Sequence, residues 1–307
     1  MNETGSVAAR LTPNGAPTRL NGWLVIDKPA GRTSAQIVSR VKRLAGGQKV
    51  GHGGTLDPLA TGVLPIALGE ATKTVAYAMR GTKAYRFTLK WGEARDTDDS
   101  EGKITDTCGI RPSRRDVEAV LPKFVGEISQ IPPIYSALKV SGRRAYALAR
   151  ANKPVTLEPR QVRIDSLVLL EHDQETATFD VVCGKGTYIR ALARDLARGL
   201  GTLGHVSVLR RTAVGPFTEK AAISLDILES LVHSARLAAH VLPVEAPLAD
   251  IPALELTESD AHRLRCGQTI AVSGTDAETV RAKSGERLVA LARIETGKLR
   301  PLRVFNL

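Results

Sequence analysis

Apolar and polar positions divide most of the chain into recognisable elements. Gly22-Trp23-Leu24-Val25-Ile26 is an apolar run of strand length, and Asp27-Lys28-Pro29-Ala30-Gly31 reads as the turn that ends it. Thr33 and Ser34 then cap a helix with Ile37, Val38, Val41 and Leu44 on one face. Gly62–Gly69 is a second continuous apolar run, of buried-strand type. Residues 84–91 alternate with period two, which puts Tyr85, Phe87, Leu89 and Trp91 on one face of a half-buried strand and Arg86, Thr88 and Lys90 on the other. Ser113 opens a helix to about Phe124, and two prolines make Gln130–Lys139 an extended loop. Two adjacent strands are expected at 163–171 and 176–183. A helix over Thr187–Leu200 buries Ile189, Leu192, Ala193, Leu196 and Leu200, with Arg190, Arg194 and Arg198 recurring every four residues on its other side.

Strands near 205–217 and a helix near 224–232 complete the larger part. Three prolines between Leu242 and Pro252 mark a boundary. Beyond it, a short helix at Ser259–Arg265 and strands at 287–295 and 300–305 suit a small β-rich appended module. Strands and helices do not alternate regularly enough for a doubly wound sheet, and there are no internal repeats, so the class is α+β. The expected division is a disordered tail at 1–20, a main domain at 21–245 and a C-terminal module at 246–307.

Charge changes this picture more than composition does. The 307 residues carry 43 Lys/Arg against 32 Asp/Glu, a net charge of +11, which favours a polyanionic partner. Residues 246–307 hold nine basic and eight acidic residues, so the excess lies in the main domain. It is densest from Lys139 to Arg163, where seven basic residues, Arg143 and Arg144 among them, face one acid, Glu158. With the Pro-rich loop before it, the region about 125–160 reads as a mobile flap that lays cations on a phosphate backbone. Aromatic content of 4% is too sparse for a platform stacking many successive bases, and folded RNA with one or two displaced bases fits better. Cys108, Cys183 and Cys266 show neither disulfide nor zinc spacing, so a reducing, cytoplasmic setting is expected. No apolar stretch is long enough to span a membrane.

The candidate chemistry lies in Gly51-His52-Gly53-Gly54-Thr55-Leu56-Asp57-Pro58. Three glycines precede one carboxylate, and Pro58 restricts the backbone of Asp57, so this side chain is aimed by its loop. Two other patterns carry no chemistry. Gly199–Gly204 matches a dinucleotide fingerprint but closes a helix instead of opening one. Asp96–Gly102 lacks the glycine and the glutamate of a calcium loop and reads as a solvated acidic turn. There is no phosphate-binding loop and no serine-hydrolase elbow.

Gly51–Leu68 with Gly69-Glu70-Ala71-Thr72-Lys73 resembles the signature of the TruB family of tRNA pseudouridine-55 synthases. Segments 22–31, 83–102, 130–139, Cys183–Arg190 and Leu209-Arg210-Arg211 agree with it in order and spacing. The resemblance implies a pseudouridine-synthase fold, with a mixed, largely antiparallel central sheet flanked by helices and a C-terminal PUA-like RNA-binding module. It implies isomerisation of a T-loop uridine of tRNA by detaching, rotating and rejoining the base, with no metal or cofactor. By motif position the essential aspartate falls on Asp57, the active-site tyrosine on Tyr85, the active-site arginine on Arg190 and the base-displacing histidine on His52. Lys28-Pro29 matches the family's Lys-Pro turn and Leu209 the leucine of the uracil pocket, and Tyr188, Arg143 and Arg144 are further RNA-binding candidates. Gly53 departs from the family, which commonly has threonine there.

The chemistry needed matches these residue types. Metal-free cleavage of a glycosidic bond calls for an ionised carboxylate, and an arginine fork keeps one ionised. A tyrosine can stack on uracil and move a proton. Lys28 is expected to order loops. A non-catalytic RNA-binding or tRNA-folding protein is the competing reading, which loss of Asp57 would have signalled. An RNA-guided relative inside a ribonucleoprotein is a third, against which the compact C-terminus speaks. The expected protein is a stand-alone monomer acting on the T-arm without an obligatory protein partner.

Overall fold

The computed structural model describes residues 20–140, 142–151, 154–233 and 236–307. The expected tail thus falls, Leu20 apart, outside the described residues. In chain order the elements begin with β1 (Gly22–Lys28), α1 (Ser34–Leu44), β2 (Val50–His52), β3 (Thr61–Leu68), α2 (Val75–Arg80) and β4 (Lys83–Trp91). The hairpin β5 (Glu93–Arg95) and β6 (Ile104–Thr107) leads to α3 (Arg114–Val120), β7 (Gly126–Gln130) and a small hairpin, β8 (Lys139–Val140) and β9 (Arg143–Arg144). Then come α4 (Ala145–Arg150), β10 (Arg160–His172), β11 (Thr176–Cys183), α5 (Ile189–Gly199), β12 (Gly204–Val214), β13 (Phe217–Thr218) and α6 (Leu225–His233). The C-terminal part holds β14 (Ala253–Glu255), α7 (Glu258–Arg265), β15 (Ile270–Ala271), β16 (Ala277–Ser284), β17 (Arg287–Glu295) and β18 (Lys298–Val304).

The main sheet runs β1-β3-β12-β4-β11-β10-β7, with β2 beside β3 and β13 beside β12. Every pairing is antiparallel except β3 with β12, which makes the sheet mixed and largely antiparallel, as expected. The two continuous apolar runs are β1 and β3, and they lack alternation because both of their faces are covered. Leu24, Ile26, Leu64 and Ile66 join the core under α1, α3 and α5. Trp23, Val25, Val63 and Ala67 face the other way, against Leu248, Leu288, Leu291 and Phe305 of the C-terminal part. A five-stranded sheet, β14-β16-β17-β18-β15, encloses a third cluster. Only β17 and β18 were expected there; β16 was missed because Glu278, Arg281 and Lys283 interrupt its apolar positions.

α1 is closed at its start by a capping box between Thr33 and Gln36, the device by which a threonine and a glutamine satisfy each other's backbone donors. α3 has the same device in Ser113 and Asp116. At Gly62 (φ +97) an added Cβ would lie 2.2 Å from the carbonyl oxygen of Arg211, so glycine alone lets β12 approach β3.

Candidate active site

Asp57 sits in the connection between β2 and β3, and the connection is tied down on every side. The Ser34 hydroxyl, at the start of α1, accepts from Leu56 N–H at 2.8 Å and donates to Leu56 O at 3.0 Å. Gly53 N–H donates to Pro65 O at 2.8 Å, and Gly31 N–H donates to Pro58 O at 2.9 Å. Ala60 N–H closes the turn on Asp57 O at 3.1 Å. Gly53 is closely surrounded: an added Cβ would stand 3.3 Å from both Ala78 and Pro65 and 3.4 Å from Trp23. A threonine at this position would press on all three.

Lys28 ends β1 and is fully buried. Its ammonium donates to Pro29 O at 2.8 Å, Arg32 O at 2.7 Å and Pro58 O at 3.1 Å, joining the first turn to the Asp57 loop. Burial lowers it to about 8, against an opposing pull from Asp57. Between about pH 8 and the ordinary lysine value, the unfolded chain binds a proton that the folded chain does not, so Lys28 adds stability as pH rises through that window. Thermal denaturation of wild type and Lys28→Met at pH about 7 and about 9.5 checks this. The expected outcome is a wild-type advantage that grows with pH; an advantage that shrinks would contradict it.

Arg190 occupies the first turn of α5 with a side chain only 5% exposed. Nη2 lies 2.9 Å from Asp57 Oδ2, and Nη1 lies 3.4 Å from Asp99 Oδ2. The same fork donates to Thr97 O at 2.8 Å and Tyr135 O at 2.9 Å, which leaves the guanidinium no rotational freedom. Arg194, one turn on, is 14% exposed, pairs with Asp98 and Asp195 at 2.9 Å, and donates to Ile131 O. The arginine repeat of α5 is solvated only at Arg198, because Arg190 is turned into Asp57 and Asp99 and Arg194 into Asp98 and Asp195. One expectation is corrected here. The turn at Asp96–Gly102 is not a solvated acidic turn, because Asp99 is buried and accepts from Thr97 Oγ1 and Glu101 N–H.

Asp57 and Arg190 share a cleft of about 300 Å³ with Tyr85, Tyr188, Leu209 and Ser136. Leu209 pairs with Phe87 across β12 and β4 and is buried. Tyr188 is the residue before α5, its N–H donating to the Gln130 amide oxygen at 2.9 Å. Burial pushes the phenols of Tyr85 and Tyr188 upward, so both stay protonated near neutrality. His52 is half-buried on β2 outside the cleft lining; burial lowers its imidazole, and its Nδ1 accepts from Gly54 N–H at 3.3 Å, so it is neutral. Arg143 and Arg144 are exposed on the β8–β9 hairpin and are not themselves in the cleft lining, although Arg144 Nη1 donates to the carbonyl of Ala137, which is; neither makes an ion pair among the described residues. The hairpin's root is nonetheless joined to the site, because Tyr135 O receives the Arg190 fork.

Lys83 and Arg211, which line the cleft, and Asp99, which pairs with Arg190, were not foreseen as site residues. The one available signal was that an acidic turn and an arginine repeat of opposite sign both flank the motif segments.

A family model described as "TruB family pseudouridylate synthase (N terminal domain)" matches residues 42–189, and one described as "tRNA pseudouridylate synthase B C-terminal domain" matches 190–249. A curated protein of Rhodospirillum rubrum named "tRNA pseudouridine synthase B" is 55% identical over 94% of this chain and 97% of its own length. The chain belongs to the TruB family of pseudouridylate synthases. A Caulobacter vibrioides protein of the same name is 52% identical over 94% of this chain and 97% of its own. Among solved structures, a Cbf5-Nop10-Gar1 complex contains a chain with TM-score 0.73 and 27% identity, covering 93% of this chain and 84% of that one. An archaeal box H/ACA sRNP Nop10-Cbf5 complex, at TM-score 0.71 and 24% identity, shows the same fold. Within this TruB chain the join between the two family models falls immediately before Arg190, so the Asp57–Arg190 pair links the two matched segments. Among the described residues no helix is long and apolar enough to cross a membrane.

Proposed function

We propose that this protein is a tRNA pseudouridine synthase that isomerises uridine-55 in the T-loop. The observation that carries the reading is the Asp57–Arg190 ion pair, set in a cleft with Tyr85 and Leu209 in a chain more than half identical to a tRNA pseudouridine synthase B. The target base is flipped out of its loop, and His52, neutral and beside the cleft, takes part in displacing it. Tyr85 stacks on the uracil, and Leu209 and Tyr188 bound the pocket. Asp57, ion-paired with the Arg190 fork, drives cleavage of the N-glycosidic bond; the base rotates and is rejoined through carbon. Attack at the sugar and attack at the pyrimidine ring use this same carboxylate. Lys28 orders the loop and takes no part in bond making.

Residues 21–245 form the catalytic body and 246–307 a PUA-like RNA-binding module in this reading. The enzyme works as a cytoplasmic monomer without an obligatory protein partner. The test is pseudouridine formation on an unmodified tRNA and on the isolated T-arm; a wild-type protein inactive on both sinks the substrate assignment.

The exposed Arg143 and Arg144, which make no ion pair among the described residues, grip the RNA backbone. Binding to T-arm RNA is therefore expected to weaken steeply with salt. Arg143→Ala/Arg144→Ala should reduce the slope of log affinity against log salt by about one for each phosphate no longer neutralised. A salt titration of both proteins measures this, and an unchanged slope would show that the hairpin is not a phosphate grip.

A further inference from the structure

Arg211 is a buried cation to which the reaction as described assigns no task. It is 1% exposed and lines the cleft with Asp57, Tyr85 and Lys83. Nε donates to Val63 O at 2.8 Å, Nη1 to Thr55 O at 3.2 Å and Nη2 to Gly54 O at 3.0 Å. The glycine at 62, which lets β12 pack against β3, is what allows this side chain to reach the Asp57 loop from below. Arg190 and Arg194 take Asp57, Asp99 and Asp98, whereas Arg211 makes no ion pair among the described residues. Carbonyl dipoles orient a guanidinium but do not neutralise it, and an unmatched buried charge is costly to keep. Its field reaches the surrounding groups: it disfavours protonation of His52, Lys28 and Lys83, and it acts on the Tyr85 hydroxyl, which lines the same cleft.

The reaction creates a charge that this field would stabilise. When the bond between N1 of uracil and C1′ opens, its electron pair leaves with the base, which becomes an anion spread over the ring nitrogens and carbonyl oxygens. The bond from C1′ to C5 then forms, C5 releases its proton and N1 takes one up. We propose that Arg211 is a positioning residue that places positive charge on the base side of the cleft, acting through the Tyr85 hydroxyl and through the Gly54 and Thr55 carbonyls ahead of Asp57. The inference rests on the pseudouridine-synthase reading.

Wild type, Arg211→Gln and Arg211→Lys are compared in single turnover on T-arm RNA, with RNA affinity measured separately and folding followed by thermal denaturation. Glutamine keeps amide donors without the charge and is expected to slow the rate by roughly 10²–10³-fold, as removal of one preorganised electrostatic group does, with affinity within about threefold of wild type. Lysine keeps the charge and is expected to retain at least about tenfold more rate than glutamine at neutral pH. Equal rates for the two variants, or a loss confined to affinity, would show a purely structural clamp and overturn the proposal. If Arg211→Gln does not fold, the pH profile of Arg211→Lys decides. Burial holds Lys83, in the same cleft, to about 8. The rate of Arg211→Lys relative to wild type should likewise fall as pH rises through about 8 to 9; a ratio constant across that range overturns the proposal. Wild type inactive on the same RNA would instead remove the underlying function.

Discussion

Asp57→Asn is expected to abolish pseudouridine formation, lowering the single-turnover rate on T-arm RNA by about 10⁴-fold or more, the scale on which loss of a covalent or charge-bearing catalytic group is felt. RNA affinity should stay within about threefold of wild type, since the basic surface that binds phosphates is untouched. Stability should change little or rise slightly, because the asparagine keeps the shape that Ser34, Lys28 and the Gly53–Pro65 bond enforce around it. Side by side, rate, affinity and urea unfolding separate these effects. A variant that retains wild-type rate would mean that the carboxylate is not the reactive group.

Arg190→Met is expected to be nearly as damaging to rate, by about 10³-fold, and unlike Asp57→Asn it should also cost stability. Removing the fork leaves Asp99 as a buried carboxylate without its cation and frees two part-buried carbonyls. Breaking a buried pair from one side costs on the order of 3 kcal/mol, with Asp57 contributing less because it is a third exposed. Arg190→Lys keeps the charge but cannot serve Asp57, Asp99, Thr97 and Tyr135 together, and an intermediate loss of about 10–10²-fold is expected. Urea unfolding and single-turnover rates give both quantities. If Arg190→Met matched wild type in stability while losing rate, the buried network around Asp99 would not be what holds the fork in place.

Much of the fold was legible because the burial that shapes it is local. The unbroken apolar runs of β1 and β3, the alternation in β4 and the inward face of α5 each follow from covering one or two faces of a single element. Asp57 was legible for a different reason: glycines and a proline aim it whatever lies around it. Its partners were harder to read. Asp99 reaches Arg190 across 91 positions of sequence, and Arg211 reaches Gly54 across 157, distances over which spacing carries no information without the sheet order. The arginine repeat of α5 was ambiguous in the same way, since periodicity alone does not separate a solvated polar face from one with acids folded over it. The position of His52 beside the cleft and not in its lining was likewise invisible, because it depends on β2 pairing with the edge of β3.

The place of β12 has a consequence for how this protein comes into being. β3 and β4 are successive strands, yet they are not neighbours: β12, made long after both, lies between them. A nascent chain that ends late in α5 already carries Asp57, Tyr85 and Arg190, but β3, which follows the Asp57 loop, and β4, which bears Tyr85, have no common partner to hold them in register. Assembly must await a contact of high sequence separation, the kind that makes folding slow and leaves strand edges open to wrong pairing meanwhile. The basic surface is therefore made before the catalytic centre can close, and activity begins only when β12 has entered the middle of the main sheet.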